Sequence, residues 1–212
     1  MRLTFDRPAV VGWRFFFGIL PLVAIGCQLA THLEHGFEVV NFFSYFTNLA
    51  NLFGACTLLA GAWLAFKKRA SATGDLLRAM ATLSMVVVGV VFSVLLRNVD
   101  FGSLKPWINF ILHYLMPVVI AIDWVVQPPS RAMRLRELLL CQIAPAVYLT
   151  YVLVRGARVG WYPYPFLNPS LVGGYGTVAM YALAIAAVFL VGGMALFWIA
   201  GRMSARARNG DG

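Results

Sequence analysis

FSYFTNLANLFGACTLLAGAWLAF, residues 43–66, is a long and mostly apolar segment with no charged residue to interrupt it. It contains no Lys, Arg, Asp or Glu, and it exceeds the roughly 20 apolar residues that a helix needs to cross a bilayer. Five further apolar stretches have the same character, at residues 11–33, 76–97, 106–126, 138–155 and 174–201. The sequence therefore predicts six transmembrane helices joined by short loops.

The composition of the whole chain agrees with this prediction. Its 212 residues are 61% hydrophobic and 12% charged, with a mean hydropathy of +0.79. A soluble domain is about half apolar and about a quarter charged. We therefore expect an all-α, polytopic membrane protein. A six-helix bundle forms a single domain over residues 1–201, followed by a short basic tail, residues 202–212, that is predicted to be disordered.

The net charge of +9 is concentrated in clusters between the apolar stretches. Thirteen of the 17 Lys and Arg residues lie in the N-terminal arm, the second and fourth loops and the tail, and four lie on the opposite side of the predicted bundle. The positive-inside rule then places both termini in the cytoplasm. No basic stripe interleaved with aromatic residues is present, which argues against a nucleic-acid partner.

Polar side chains gather at the outer end of the predicted bundle. On the second span, Asn41, Ser44, Asn48 and Asn51 recur at intervals of three and four, with Thr47 beside them, so they form one strip along a helix. Other spans add polar residues at the same end: Arg97, Asn109, His113, Tyr148, Arg155 and Tyr181.

Thr47 and His113 are the candidate catalytic residues. At about 1.5 Å of rise per residue, Thr47 lies roughly 9 Å below Asn41, and His113 lies roughly 10 Å below Pro106. A Thr hydroxyl becomes a nucleophile when a base removes its proton, and His has a suitable pKa for that role. Asn109 or a backbone carbonyl would orient the imidazole. The alternative is structural, because a membrane Thr often bonds its own helix and polar strips join helices.

Eight residues make up the predicted substrate-binding set: Ser44, Asn48, Asn51, Arg97, Asn109, Tyr148, Arg155 and Tyr181. Asn48, Asn51 or Tyr148 would donate hydrogen bonds to the oxyanion of an acyl intermediate. Arg97 or Arg155, at the rim, would attract a carboxylate on the lipid, because a guanidinium group matches that shape.

Asp123 lies near the cytoplasmic end of the fourth span. It is predicted to form a structural ion pair with Arg131, Arg134, Lys67 or Lys68, because it is too far along the helix from the catalytic pair to relay protons to it.

No metal and no cofactor are expected. His32, Glu34, His35 and Glu38 form the only dense group of potential ligands in a predicted loop, but their spacing is not that of a helical metal pair and no thiol accompanies them. They are interpreted as a solvated loop.

Three segments resemble a known family: FFSYFTNLANL at residues 42–52, HYLMPVVIAIDW at residues 113–124 and YPYPFLNP at residues 162–169. They are similar to small six-span bacterial membrane proteins related to the androgen-induced gene product family, whose animal members are intramembrane threonine hydrolases of fatty acid esters of hydroxy fatty acids. The resemblance implies that Thr47, followed by Asn48, is the nucleophile and that His113, followed by Pro117, is the base. It also implies a bacterial inner membrane location.

The leading hypothesis is thus an intramembrane hydrolase of long-chain lipid esters, with membrane lipids as its partners. Two alternatives remain open. The same polar cavity would serve a non-enzymatic protein that binds or transports lipids or other small molecules. In a purely structural role, the Asn strip would mediate helix contacts and no cavity would exist.

Overall fold

A computed structural model describes residues 7–129 and 133–209 of the chain. Its helices are α1 (Arg7–Glu34), α2 (Val39–Phe43), α3 (Phe46–Phe66), α4 (Ala72–Leu96), α5 (Pro106–Val126), α6 (Leu135–Val159), α7 (Pro169–Val172) and α8 (Tyr175–Asn209). Six of these, all except α2 and α7, are long and apolar enough to cross a membrane. The prediction of a helical bundle with six spans is therefore confirmed.

Helix α4 lies at the centre of the bundle, where it contacts α3, α5, α6 and α8, while α1 packs along α3. Leu83 and Val87 of α4 are buried in a core cluster with Trp124 of α5 and Phe189 of α8. Large apolar side chains also point outward; Val94, for example, is 72% exposed. An apolar exterior around an apolar core is the pattern expected of a protein surrounded by lipid.

The last helix is longer than the sequence predicts. Helix α8 continues to Asn209, beyond the predicted end of the span at Gly201. The tail that was predicted to be disordered is therefore helical as far as the structure describes it. The small and basic residues after Gly201 include good helix formers such as Ala and Arg, which allow the helix to continue past the apolar stretch.

One end of the bundle, which we call the ion-pair end, is held by a buried carboxylate between two arginines. Arg14 Nε donates to Asp123 Oδ1 at 2.7 Å, and Arg78 Nη2 donates to Asp123 Oδ2 at 2.9 Å. Arg78 Nη2 also contacts the carbonyl of Gln127 at 2.7 Å. Three helices, α1, α4 and α5, are thereby joined. We call the opposite end, which carries Thr47 and His113, the site end.

The ion pair of Asp123 was predicted with different partners. The structure pairs it with Arg14 and Arg78, not with Arg134, Lys67 or Lys68; Arg131 lies outside the described residues. The physical reason is the helix arrangement. Arg14 and Arg78 lie inside the spans of helices adjacent to α5, so their guanidinium groups reach Asp123 beneath the surface.

Asp123→Asn should lower the free energy of unfolding by about 3–5 kcal/mol, because it leaves two buried guanidinium groups without their shared carboxylate. Equilibrium unfolding in mixed detergent micelles measures this change. Glu34→Gln, an equivalent change at an exposed position, should stay within about 0.5 kcal/mol of the parent. Equal stabilities of the parent and Asp123→Asn would show that the ion pairs do not stabilise the bundle.

Candidate functional site

The structure brings Thr47 and His113 together at the site end. Thr47 Oγ1 lies 3.2 Å from His113 Nε2, and each residue is only 7% exposed. Helix α3 supplies the hydroxyl and α5 supplies the imidazole. A hydroxyl and an imidazole at this distance form the contact that a nucleophile needs with its base.

The hydrogen-bond partner of His113 Nδ1 indicates which ring nitrogen carries the proton. His113 Nδ1 lies 3.3 Å from the backbone carbonyl of Asn109, which can only accept a hydrogen bond. In the neutral imidazole, Nδ1 is therefore the donor and Nε2 is left as the acceptor that faces the Thr47 hydroxyl. This is the tautomer that a general base requires.

A local irregularity of α5 orients the imidazole. Residues Ile111–Leu115 form a π-helical turn, in which the N–H of Met116 bonds to the carbonyl of Ile111. The ring of His113 is stacked on Phe92, with a distance of 3.9 Å between ring centroids. Single π-helical turns are common at functional sites because they re-aim side chains.

Asn51 connects the two catalytic helices. In a π-helical turn the N–H of residue 117 would bond to the carbonyl of Leu112, but Pro117 has no N–H. Asn51 Nδ2 donates to that carbonyl instead, at 3.1 Å, and also to the carbonyl of Thr47 at 2.9 Å. Asn51 is completely buried, and its two hydrogen bonds tie the backbone of Thr47 to that of the π-helical turn that carries His113.

A break before α3 places Thr47 in the first turn of a helix. Tyr45 is extended, with φ −76° and ψ 123°, so α2 ends at Phe43 and α3 begins at Phe46. The N–H of Thr47 has no partner inside the helix, as is usual for a first turn. It donates instead to the hydroxyl of Tyr164 at 3.3 Å.

The break corrects two sequence predictions. Asn41 and Ser44 do not share one helical strip with Asn48 and Asn51, and the depth of Thr47 below Asn41 cannot be counted along one continuous helix. Side chains satisfy the carbonyls that the break frees. Asn48 Nδ2 donates to the carbonyl of Phe42 at 2.8 Å.

Ser44 satisfies the backbone on the other side of the break. Its hydroxyl lies 2.7 Å from the carbonyl of Val40, and its own carbonyl accepts a hydrogen bond from the Tyr148 hydroxyl at 2.9 Å. Polar side chains that sequence analysis assigned to substrate binding therefore shape the backbone around Thr47.

Tyr164 is a site residue that the sequence analysis missed. It lies in the loop between α6 and α7, is 7% exposed, and has its hydroxyl 3.5 Å from Thr47 Oγ1. Its ring is stacked on Phe166 at 5.3 Å between centroids. The signal in the sequence is a Tyr between two prolines, Pro163 and Pro165, because such a segment is stiff and extended.

The loop that carries Tyr164 is anchored to α6. The ring of Tyr162 packs directly on Gly156, where any larger side chain would collide with it. Burial raises the pKa of Tyr164, so its hydroxyl stays protonated and can donate a hydrogen bond. Burial and the neighbouring Tyr164 raise the pKa of Tyr45 to about 12.

Two cavities meet at Thr47 and Tyr164. The polar cavity, of about 320 Å³, extends from Thr47 and His113 toward the loops at the site end, where Asn48, Asp100 and Trp161 line it. The apolar cavity, of about 300 Å³, extends in the other direction between α4, α6 and α8. If the Asn strip served only to join helices, no cavity would be expected here, but Thr47 lines two cavities.

The remaining predicted residues lie in different places. Tyr148 lines the apolar cavity, and Asn109 contributes the carbonyl that orients His113. Arg97 is exposed and does not line either cavity, because it follows the π-helical turn that ends α4. Tyr181 packs on Phe166 at 5.8 Å between ring centroids, on the outside of the site.

Arg155 is also absent from both cavity walls. Its Nη2 atom donates to Asn41 Oδ1 at 2.7 Å and lies 3.8 Å from a carboxylate oxygen of Glu38, while its guanidinium group lies over the ring of Trp161. These contacts hold α2 against α6. His32 and Glu34 were predicted to lie in a solvated loop, but both belong to the last turn of α1, and His32 lines the polar cavity.

The fold and the site define a multi-pass helical membrane protein with a buried Thr–His pair between a polar and an apolar cavity. No protein-family model matches the chain, and neither a curated protein nor a solved structure matches it. The interpretation of the site therefore depends on its geometry, and the family resemblance stays a prediction.

Proposed function

We propose that this protein is an intramembrane ester hydrolase in which Thr47 is the nucleophile and His113 the general base. Its substrates are long-chain acyl esters, of which the fatty acid esters of hydroxy fatty acids are the members implied by the family resemblance. The observation that carries the proposal is the 3.2 Å contact between Thr47 Oγ1 and His113 Nε2, at the junction of two cavities.

In the first half of the reaction, His113 Nε2 takes the proton of the Thr47 hydroxyl as Oγ1 attacks the ester carbonyl carbon. The electron pair of the carbonyl moves to its oxygen, which becomes an oxyanion. When the carbonyl re-forms, the bond to the alcohol oxygen breaks, and His113 returns the proton to that oxygen. The products of this half are the free alcohol and an acyl ester on Thr47.

In the second half, water attacks the acyl ester on Thr47. His113 takes a proton from the water, the carbonyl electron pair again moves to oxygen, and the bond to Thr47 Oγ1 then breaks. The proton returns to Oγ1, so the enzyme is restored and the fatty acid leaves. The same residue thus acts as base and acid in each half.

Tyr164 is suited to stabilise the oxyanion. Its hydroxyl oxygen accepts a hydrogen bond from the Thr47 N–H, which leaves the O–H free to donate beside the attacking atom. The first-turn position of Thr47 adds the positive end of the α3 helix dipole. Preorganised donors of this kind in a dry site commonly make the largest contribution to catalysis.

Tyr164→Phe should lower kcat by about 10²-fold, because one oxyanion donor is lost while the ring remains in place. Steady-state hydrolysis of a long-chain ester measures the change. Tyr162→Phe is the matched control in the same loop, since the Tyr162 hydroxyl contacts that of Tyr175 at 3.5 Å, away from Thr47. If both variants behave alike, Tyr164 does not stabilise the oxyanion.

The charge distribution supports a particular orientation in the membrane. Counted along the sequence, thirteen of the 17 Lys and Arg residues lie in or next to the arm, loops and tail that the positive-inside rule assigns to the cytoplasm, including Arg14 and Arg78 within the adjoining spans. Both termini and the ion-pair end would then face the cytoplasm of a bacterium, and the polar cavity would open on the other side of the inner membrane.

A non-enzymatic protein that binds or transports lipids is the second candidate, because a polar cavity next to an apolar one would also accommodate an intact amphiphile. The deciding experiment uses the purified full chain in vesicles with a radiolabelled long-chain ester, and measures both bound ester and released acid. Acid release by the parent that disappears in Thr47→Val supports the hydrolase. Saturable binding without any acid release would instead support the second candidate.

A further inference from the structure

The two cavities that meet at the proposed nucleophile differ in chemical character, because the polar cavity has a mixed wall of polar and apolar side chains and the other has an almost wholly apolar one. The apolar cavity is lined almost entirely by aliphatic and aromatic side chains of α4, α6 and α8. Away from Thr47 and Tyr164 its wall has few polar groups: Gln142, whose Nε2 donates to the carbonyl of Leu138, and the Tyr148 hydroxyl, which donates to the carbonyl of Ser44. Such a cavity suits a hydrocarbon chain.

The apolar cavity opens sideways between α6 and α8. Ala146 of α6 and Ala186 of α8 line it and are exposed on the outside of the bundle, as is Leu190. From Ala182 to Leu190 the cavity follows α8 for about 12 Å at the usual helical rise. That is less than half of the roughly 30 Å hydrocarbon core, so the end of a longer chain would leave through this opening into the membrane.

The described walls of the polar cavity contain two histidines, His32 and His113, but no Lys or Arg. Among the lining residues that the structure describes, Asp100 is the acidic one. Arg97 is exposed elsewhere, and Arg155 contacts the lining residues Asn41 and Trp161 without itself lining the cavity. A carboxylate or phosphate placed here would have Asp100 on the same wall and no lining Lys or Arg to pair with directly.

From this juxtaposition we infer that the substrate is a long-chain fatty acid ester of a small, uncharged alcohol that carries further hydroxyl groups, such as glycerol. The acyl chain occupies the apolar cavity and the alcohol occupies the polar cavity. This inference rests on the proposed hydrolase function and narrows its substrate. It disfavours esters of hydroxy fatty acids, because their alcohol half carries both a carboxylate and a second long chain.

The test compares esters that share one acyl chain and differ in the alcohol. Palmitoyl glycerol, the palmitoyl ester of hydroxystearic acid and palmitoyl lysophosphatidylglycerol are supplied in mixed micelles to the purified full chain. The kcat/KM for palmitoyl glycerol should be at least about 10-fold higher than for either charged ester. Asp100→Lys should lower the ratio of kcat/KM for palmitoyl glycerol to kcat/KM for a charged ester. Glu34→Lys makes the same charge change at an exposed position that lines neither cavity, so it should leave this ratio unchanged.

A second pair of variants tests the placement of the acyl chain. Ala186→Trp fills the apolar cavity and should lower the preference for palmitoyl over butyryl glycerol by at least about 10-fold. Ala187→Trp is the matched control, because Ala187 is exposed and does not line the cavity.

If the parent hydrolyses the hydroxystearate ester as fast as palmitoyl glycerol or faster, and this hydrolysis requires Thr47, the inference about the alcohol is wrong. The proposed hydrolase function would still hold. Absence of hydrolysis of every ester by the parent would overturn both.

Discussion

Thr47→Val should lower kcat for ester hydrolysis by about 10⁴-fold or more, because it removes the attacking oxygen and leaves a side chain of nearly the same shape. The bundle should remain folded, although the buried Nε2 of His113 loses its hydrogen-bond partner at a cost of about 1–3 kcal/mol. Release of labelled fatty acid under single-turnover conditions measures the chemical step.

Two controls accompany this variant. Thr47→Ser restores a hydroxyl at the same position and should retain activity within about 10-fold of the parent. Thr57→Val removes a buried Thr hydroxyl from the same helix, one that donates to the carbonyl of Gly54, so hydrolysis should continue at the parental rate. Substantial hydrolysis by Thr47→Val would mean that another group attacks the ester.

His113→Gln should lower kcat by about 10²–10⁴-fold while ester binding stays close to that of the parent. Gln retains polar atoms near Thr47 but cannot accept and return a proton, so the loss should appear in kcat and not in KM. Stopped-flow or single-turnover kinetics separate the two quantities.

His35→Gln is the matched control for the base. His35 Nδ1 contacts the carbonyl of Thr31 at 2.7 Å in an exposed loop, and His35 lines neither of the two cavities beside Thr47. Its substitution should not change kcat or KM. A His113→Gln enzyme with parental kcat would assign the proton transfer to another residue.

The spans were predictable because hydropathy is a local property of the sequence. The predicted fourth span, residues 106–126, coincides with α5, since Pro106 suits a first helical turn and Pro128 and Pro129 end the stretch. By contrast, α3 begins at Phe46 rather than at residue 43. That break depends on the Asn48 and Tyr148 side chains, and Tyr148 belongs to a distant helix.

The sequence also identified Thr47 and His113 as the candidate pair, but it did not show that the two side chains are in contact. Helical spacing predicted similar depths for Thr47 and His113, but no sequence pattern indicated that α3 and α5 are neighbours. The same missing information explains the wrong partners of Asp123, because the order of helices around a bundle is decided by packing between distant segments. Tyr164 was overlooked because its role depends on how a loop folds over the site.

The most direct test of the account is to locate the acyl group on the enzyme during turnover. The full chain is mixed with a long-chain ester, quenched in acid within the first turnover, and digested for mass spectrometry. The account predicts an acyl adduct on Thr47 that accumulates in the parent and is absent from Thr47→Val. An adduct on a different residue, or hydrolysis without any covalent adduct and undiminished in Thr47→Val, would contradict it.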